Sequence, residues 1–283
     1  MGFSMWTALY GLAIASIATP ALSTRQHDEH HHHTRRATAT TPMVFAHYMI
    51  SYQPPKLDYS NDINLAKAAG IDAFAVNYGG WGNAFADFSN YLDVFYKTAE
   101  HMDFKLFICF DLTSVTDKNM VTNLTNHYSK STAQAKDPAG NIFLSSFQKG
   151  PAPFNWQKDI IANIGVPVTL LPGTLSEDGP YTAGAKEGFG PFTWVHPACD
   201  ATEEQAVDTS FANERNSNGA PWMAGVAPWF FKRMDTTMNW LHAQDSAIWL
   251  DRWMHLLKVK PNYIEIVTWN GNYTCQSSNP QSR

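Results

Sequence analysis

The chain has 283 residues, enough to bury a full-sized core, and a single barrel of ~250 residues would absorb nearly all of it. Charged side chains make up only 16% and aromatic ones reach 13%, so the surface must present Trp and Tyr where an ordinary domain presents ions, a balance suited to carbohydrate. With 20 basic against 25 acidic residues and a formal net charge of -5, no basic face exists to neutralise phosphates, which excludes nucleic acid as the main partner.

The first feature in chain order is an apolar run over residues 5–19, followed by Pro20 and the small residues Ala21-Leu22-Ser23. It is short for a membrane span and has the flanks of a secretory signal, so residues 1–23 are expected to be removed, leaving a secreted chain with no stable membrane association. The sequons Asn123-Leu-Thr125 and Asn272-Tyr-Thr274 fit that route. Residues 24–41 are polar and without apolar period, which predicts a disordered leader. Its His27 and His30 to His33 form a tract with no defined geometry, so no metal is expected; Arg35-Arg36 offers a processing site.

From residue 43 onward, short β-branched or aromatic runs alternate with amphipathic stretches. The strand candidates are 43–49, 72–77, 105–110, 142–147, 166–171, 192–196, 222–228 and 263–269. Helices are expected over 61–69 ending at Gly70, 87–102, 118–129 behind an Asp117 cap, 203–214 behind Thr202 and Gln205, and 245–258. Eight strands interleaved with helices, none followed by a glycine-rich dinucleotide fingerprint, predict an α/β fold of the (β/α)8 TIM-barrel type over residues 42–270. The three cysteines cannot all pair within the chain, and Cys109 inside KLFICFD reads as a buried free thiol.

In such a barrel the chemistry sits at the carboxyl ends of the strands. The inventory there is His47 and Tyr48, Asn77 followed by Trp81, Asp111, Trp229, and Trp269-Asn270. Aromatic faces stack on pyranose rings while amides, imidazoles and carboxylates bind hydroxyls, so these residues are the candidates for substrate binding. Trp240, Trp249 and Trp253, at helical spacing, read instead as packing residues. Asp111 directly follows an apolar strand, where aromatic screening would raise its pKa; it is a candidate acid, with a loop-capping role as the alternative. Glu265 interrupts YIEIVTW on the same side as Trp269, placing a carboxylate in the barrel interior with Ile264 and Ile266 toward the helices; catalysis and structural hydrogen bonding both fit it.

The stretches VFAHYM, DINLAKAAGIDAFAVN, FKLFICFD, APWFF and, above all, PNYIEIVTWN resemble fungal glycoside hydrolase family 71, the α-1,3-glucanases or mutanases, from about residue 43 to 270 and in the family's order. The resemblance implies a barrel that hydrolyses α-1,3-glucosidic bonds of fungal α-glucan with inversion and without cofactor or metal; a monomer is expected. In that family the last strand block continues Trp-Asn-Asp-aromatic-Gly-Glu-Ser, and its Asp and Glu are the leading catalytic pair. Here Trp269 and Asn270 are followed by Gly271, Asn272, Tyr273, Thr274 and Cys275. The expectation is therefore a barrel apparently lacking its last helix and the family's C-terminal β-rich domain, with 271–283 an aberrant disordered tail. It leaves two further readings: a non-catalytic α-glucan-binding protein, or a barrel glycosidase that uses Asp111 and Glu265 as its acids.

Overall fold

The computed structural model describes residues 42–52, 58–79, 87–147, 152–175, 190, 192–194, 205–206, 208–213, 219–227, 230–233, 239–242 and 246–270. Within them, eight parallel strands hydrogen-bond into a closed barrel: β1 (Met43–Met49), β2 (Ala73–Tyr78), β3 (Lys105–Asp111), β4 (Ile142–Phe147), β5 (Val168–Leu175), β6 (Phe192–Trp194), β7 (Met223–Val226) and β10 (Tyr263–Ile266). The ring follows chain order and closes where β10 pairs with β1, Phe45 opposite Glu265 and Ala46 opposite Ile266. Helices α1 (Ser60–Ala68), α2 (Ser89–His101), α3 (Lys118–Tyr128) and α4 (Ser246–Val259) lie in the connections, with a further helical stretch at 208–213.

Each of the eight expected strands is present, within a few residues of its expected bounds. The helices follow the local signals. Asp117 caps α3 by accepting from the amide of Asn119 at 2.8 Å, and α1 stops before Gly70, whose φ of +75° is a left-handed turn that a side chain would strain. Between β4 and β5 the connection is a π turn, Trp156–Ile160, then a 3-10 turn, Ile161–Asn163.

One element departs from the sequence reading. β8 (Phe230–Arg233) and β9 (Asn239–His242) form an antiparallel pair outside the barrel, with Lys232 opposite Trp240. Trp240 therefore lies on a strand and not on a helix. Trp249 and Trp253 do lie on one helix, α4, with their rings 5.6 Å apart edge to face.

The period of two divides each strand between two cores. Phe45, Ala75, Phe107, Cys109, Phe143, Leu171, Met223 and Tyr263 fill the barrel interior. Ala46, Phe74, Val76, Leu106, Ile108, Phe110, Leu144 and Leu170 turn outward, onto Leu92, Phe95 and Tyr96 of α2 and their neighbours. The floor of the barrel is aromatic: Phe45 packs on Phe107 at 5.0 Å and on Phe143 at 5.1 Å, and Phe143 meets Tyr263 at 4.9 Å. Contacts of this kind add about 0.5–1.5 kcal/mol each beyond burial.

Candidate active site

Above that aromatic floor the inward positions turn polar. One strand period beyond Phe45 comes His47, beyond Phe143 comes Ser145, beyond Tyr263 comes Glu265, and two beyond Phe107 comes Asp111. All four are buried. His47 and Glu265 meet across the seam between the first and last strands, Nδ1 to Oε1 at 2.6 Å, and neither side chain reaches solvent. Burial raises the Glu265 pKa, opposed by its hydrogen bond and charge interaction with His47. The pair is held by a low-dielectric surround, where a lone charge would be costly.

Asp111 sits higher, at the end of β3, and is 8% exposed. Its Oδ1 accepts from the Thr113 amide at 3.0 Å and from the Thr113 hydroxyl at 2.5 Å. Burial raises its pKa, against the Thr113 bonds and the charge of His47, which act to lower it. Gly79, at the end of β2, makes room for it: a Cβ there would fall 2.5 Å from the Asp111 Cβ and 2.8 Å from the Ser114 hydroxyl. The same carboxylate thus carries an Asx-type turn while its group faces the barrel mouth.

The sequence candidates divide sharply on this frame. His47, Asn77 and Asp111 are on inward positions of neighbouring strands. Tyr48 is corrected: adjacent strand residues face opposite sides, so with His47 inside, Tyr48 points to the helices, donating to Asp62 Oδ2 at 2.7 Å and packing on Phe95 at 4.8 Å. Trp269 lies past the end of β10 at Ile266: its amide donates to the His47 carbonyl at 2.7 Å, and its ring packs 5.3 Å from outward-facing Phe74. Asn270 is likewise a structural residue, because both ends of its amide bind the Met49 backbone. Glu265 lies in the interior as read, with Ile264 and Ile266 toward the helices, and its side chain is fully buried on His47. Trp81, Trp229 and residues 1–41 and 271–283 lie outside the described residues.

Sequence reasoning missed two features. Ser145 belongs to the polar layer, and the step of two from Phe143 in IFLSSF carries that signal. Behind the wall, Asp208 is 1% exposed and pairs with Arg252, whose Nη2 also donates to the Gly225 carbonyl at 2.9 Å. Gly225 is the β7 partner of Glu265. Partners 44 residues apart leave no local pattern. Among the described residues no group of three His, Cys, Asp or Glu is placed to hold a metal ion, and no helix is long and apolar enough to cross a membrane.

The sequence was then compared with known proteins. A model of glycosyl hydrolase family 71 matches residues 40–274. The chain belongs to glycosyl hydrolase family 71. That match spans all eight barrel strands and both members of the His47–Glu265 pair. Family 71 relatives include the Schizosaccharomyces pombe glucan endo-1,3-alpha-glucosidase agn1, 29% identical over 82% of this chain and 57% of its own length. A mutanase of Penicillium rubens is 29% identical over 94% of this chain and 59% of its own. The chain thus spans somewhat over half the length of the curated relatives it matches. Among solved structures, the GH99 endo-alpha-mannosidase of Bacteroides thetaiotaomicron superposes with a TM-score of 0.62 at 9% identity, over 82% of this family 71 chain and 86% of that one. A putative alpha-L-fucosidase from the same species gives 0.54 at 11%, over 81% and 88%. At such identities the likeness is one of fold, the TIM-barrel type of glycosidases.

Proposed function

We propose that this chain forms the barrel of a secreted hydrolase that cleaves α-1,3-glucosidic bonds of fungal cell-wall α-glucan with inversion. The observation that supports this reading is the continuous family 71 match over residues 40–274, joined to relatives named for α-1,3-glucan. The apolar run at 5–19 with its small-residue flank supports secretion. Inversion needs a carboxyl that protonates the leaving oxygen and a carboxylate ~6.5–9.5 Å away that activates water. Asp111 is the described carboxyl that suits the cleft: it faces the mouth, retains some exposure, and burial favours its protonated form. Asn77 lies beside it on β2, an amide suited to a sugar hydroxyl.

A specific observation favours a second reading, an α-glucan-binding protein without turnover. No acidic residue occurs between Glu265 and Arg283, so the second carboxyl has no source in that stretch. One experiment separates the two. The purified chain is incubated with insoluble α-1,3-glucan, and both sedimentation with the polymer and release of reducing ends are measured. Binding with release supports the hydrolase, binding alone supports the second reading, and the absence of both rejects each of them. The anomeric form of the first product, read by proton NMR, tests inversion.

A further inference from the structure

Of the two sequons, Asn123-Leu-Thr125 lies among the described residues, on α3. The chemistry proposed above makes no use of it. Residues two apart on a helix point about 200° away from each other. Val121, Thr125 and Tyr128 form the inner face of α3, buried toward the core, and Asn123 stands on the outer one. Thr125 is 5% exposed, and its hydroxyl donates to the Val121 carbonyl at 2.7 Å. Asn123 is exposed, and its amide makes no hydrogen bond to the described residues. Asn126, one turn on, differs: its side chain donates to the Asn163 carbonyl at 2.9 Å and accepts from the Gly165 amide at 3.0 Å, tying α3 to the β4–β5 connection. Asn126 thus has a structural task in the fold, and Asn123 has none.

We infer that Asn123 is a site of N-linked glycosylation, filled before α3 folds. The co-substrate is a lipid diphosphate-linked oligosaccharide of the secretory route. The side-chain nitrogen of Asn123 forms a bond to the anomeric carbon of the sugar, and the bond from that carbon to the diphosphate oxygen breaks. The diphosphate leaves with the electron pair, and one amide proton is released. Recognition requires the asparagine together with the hydroxyl two residues on. In the folded chain the first faces solvent while the second is turned into the core and bonded to Val121, so one enzyme cannot engage both. Transfer therefore precedes the helix. Once α3 has formed, the same geometry keeps the glycan on the outer wall, where a bulky solubilising group is accommodated, whereas Asp111 lies at the barrel mouth at the end of β3. Entry into that route rests on the secreted reading above.

The test expresses the chain in yeast behind the host's own secretion leader and recovers it from medium and membranes. Trypsin cuts after Lys118 and Lys130, and the released peptide 119–130 is mapped by mass spectrometry before and after peptide N-glycosidase. The peptide is expected chiefly with a glycan on Asn123, lost in Asn123→Gln and Thr125→Ala and kept in Thr125→Ser. Its recovery without a glycan from the unaltered chain overturns the site, a result that needs no variant to fold. The order of events is read with solubilised transferase and lipid-linked oligosaccharide, offered the folded chain made in bacteria and the free peptide 119–130, which is too short to hold a helix in water. The peptide is expected to be modified and the folded chain left bare at Asn123; equal transfer to both overturns the order. The same chain behind its own residues 1–23 tests secretion separately: failure to leave the cell, alongside glycosylation behind the host leader, rejects the secreted reading alone.

Discussion

Asn270 grips the backbone of Met49 from both sides, its Oδ1 accepting from the Met49 amide at 2.7 Å and its Nδ2 donating to the Met49 carbonyl at 3.0 Å. The side chain copies a strand's own donor and acceptor and extends the seam beyond the Ala46–Ile266 register pair and the bond from the Trp269 amide to the His47 carbonyl. Asn270→Ala removes both bonds to the Met49 backbone, at a cost of about 1–3 kcal/mol in urea unfolding. Asn270→Asp keeps the acceptor but sets a charge against the Met49 carbonyl, so it costs at least as much at neutral pH. Two variants with parental midpoints would show the clamp to be idle.

The His47–Glu265 pair makes a sharper energetic prediction. Glu265→Leu removes the buried carboxylate that pairs with the imidazole, and we expect a loss of about 3–5 kcal/mol. In His47→Leu with Glu265→Leu both polar groups leave together. The double variant is expected to lose much less than the two single losses added, and a strictly additive cycle in denaturant unfolding would contradict this.

Gly79→Ala forces a methyl group to 2.5 Å from the Asp111 Cβ. The nearest atom is a Cβ fixed to the backbone at the end of β3, which does not yield cheaply, so the expected cost is about 1–3 kcal/mol in thermal unfolding. Displacement of Asp111 should weaken oligosaccharide binding at the same time. A stable variant with unaltered binding would place Asp111 outside the cleft.

Asp208 and Arg252 form a buried charge pair on the outer side of β7. Arg252→Met leaves Asp208 with His255, 3.1 Å away, in place of the guanidinium fork and frees the Gly225 carbonyl, and about 1.5–3 kcal/mol is expected to go. Asp208→Asn with Arg252→Met is expected to recover part of it, as measured by denaturant midpoints.

Acid sensitivity is expected to arise partly at Asp137. Burial alone would raise its pKa, but bonds from Thr169, Asn141 and the Ala139 amide outweigh it and hold the carboxyl below the ordinary 3.8. A carboxyl lower in the folded than in the unfolded chain adds stability that is complete above the unfolded value and is lost as pH falls through the folded one. Stability should therefore decline below about pH 4, and Asp137→Asn should flatten that acid limb. An identical acid limb in the variant would assign the effect elsewhere.

The barrel was legible because its signal is repeated. Runs such as MVFAHYM and IFLSSF are bounded by turn residues, and the helices between them carry apolar faces, so each element marks its own limits. The β8–β9 pair was not legible, because Phe230–Arg233 and Asn239–His242 are short and take their pairing from each other. The site was readable to the extent that strand alternation holds. It placed Glu265 in the interior, and applied to His47 it would have turned Tyr48 outward; past Ile266 the regular strand ends, and the period of two does not fix the side of Trp269, whose ring packs on outward-facing Phe74. The Glu265–His47 pair itself needs barrel closure, a tertiary fact that no local pattern encodes.

Barrel closure also has a consequence in time. His47 and Glu265 are 218 residues apart in sequence, yet they face each other at 2.6 Å. During synthesis the first strand leaves the ribosome long before its last neighbour exists, so the edge of β1 and the imidazole beside it wait for nearly the whole chain to be made. A contact of this span pays its loop-closure cost late and in one step. The polar heart of the barrel is thus assembled last, and a nascent chain halted before residue 265 would carry every other strand of the ring and still have no formed site.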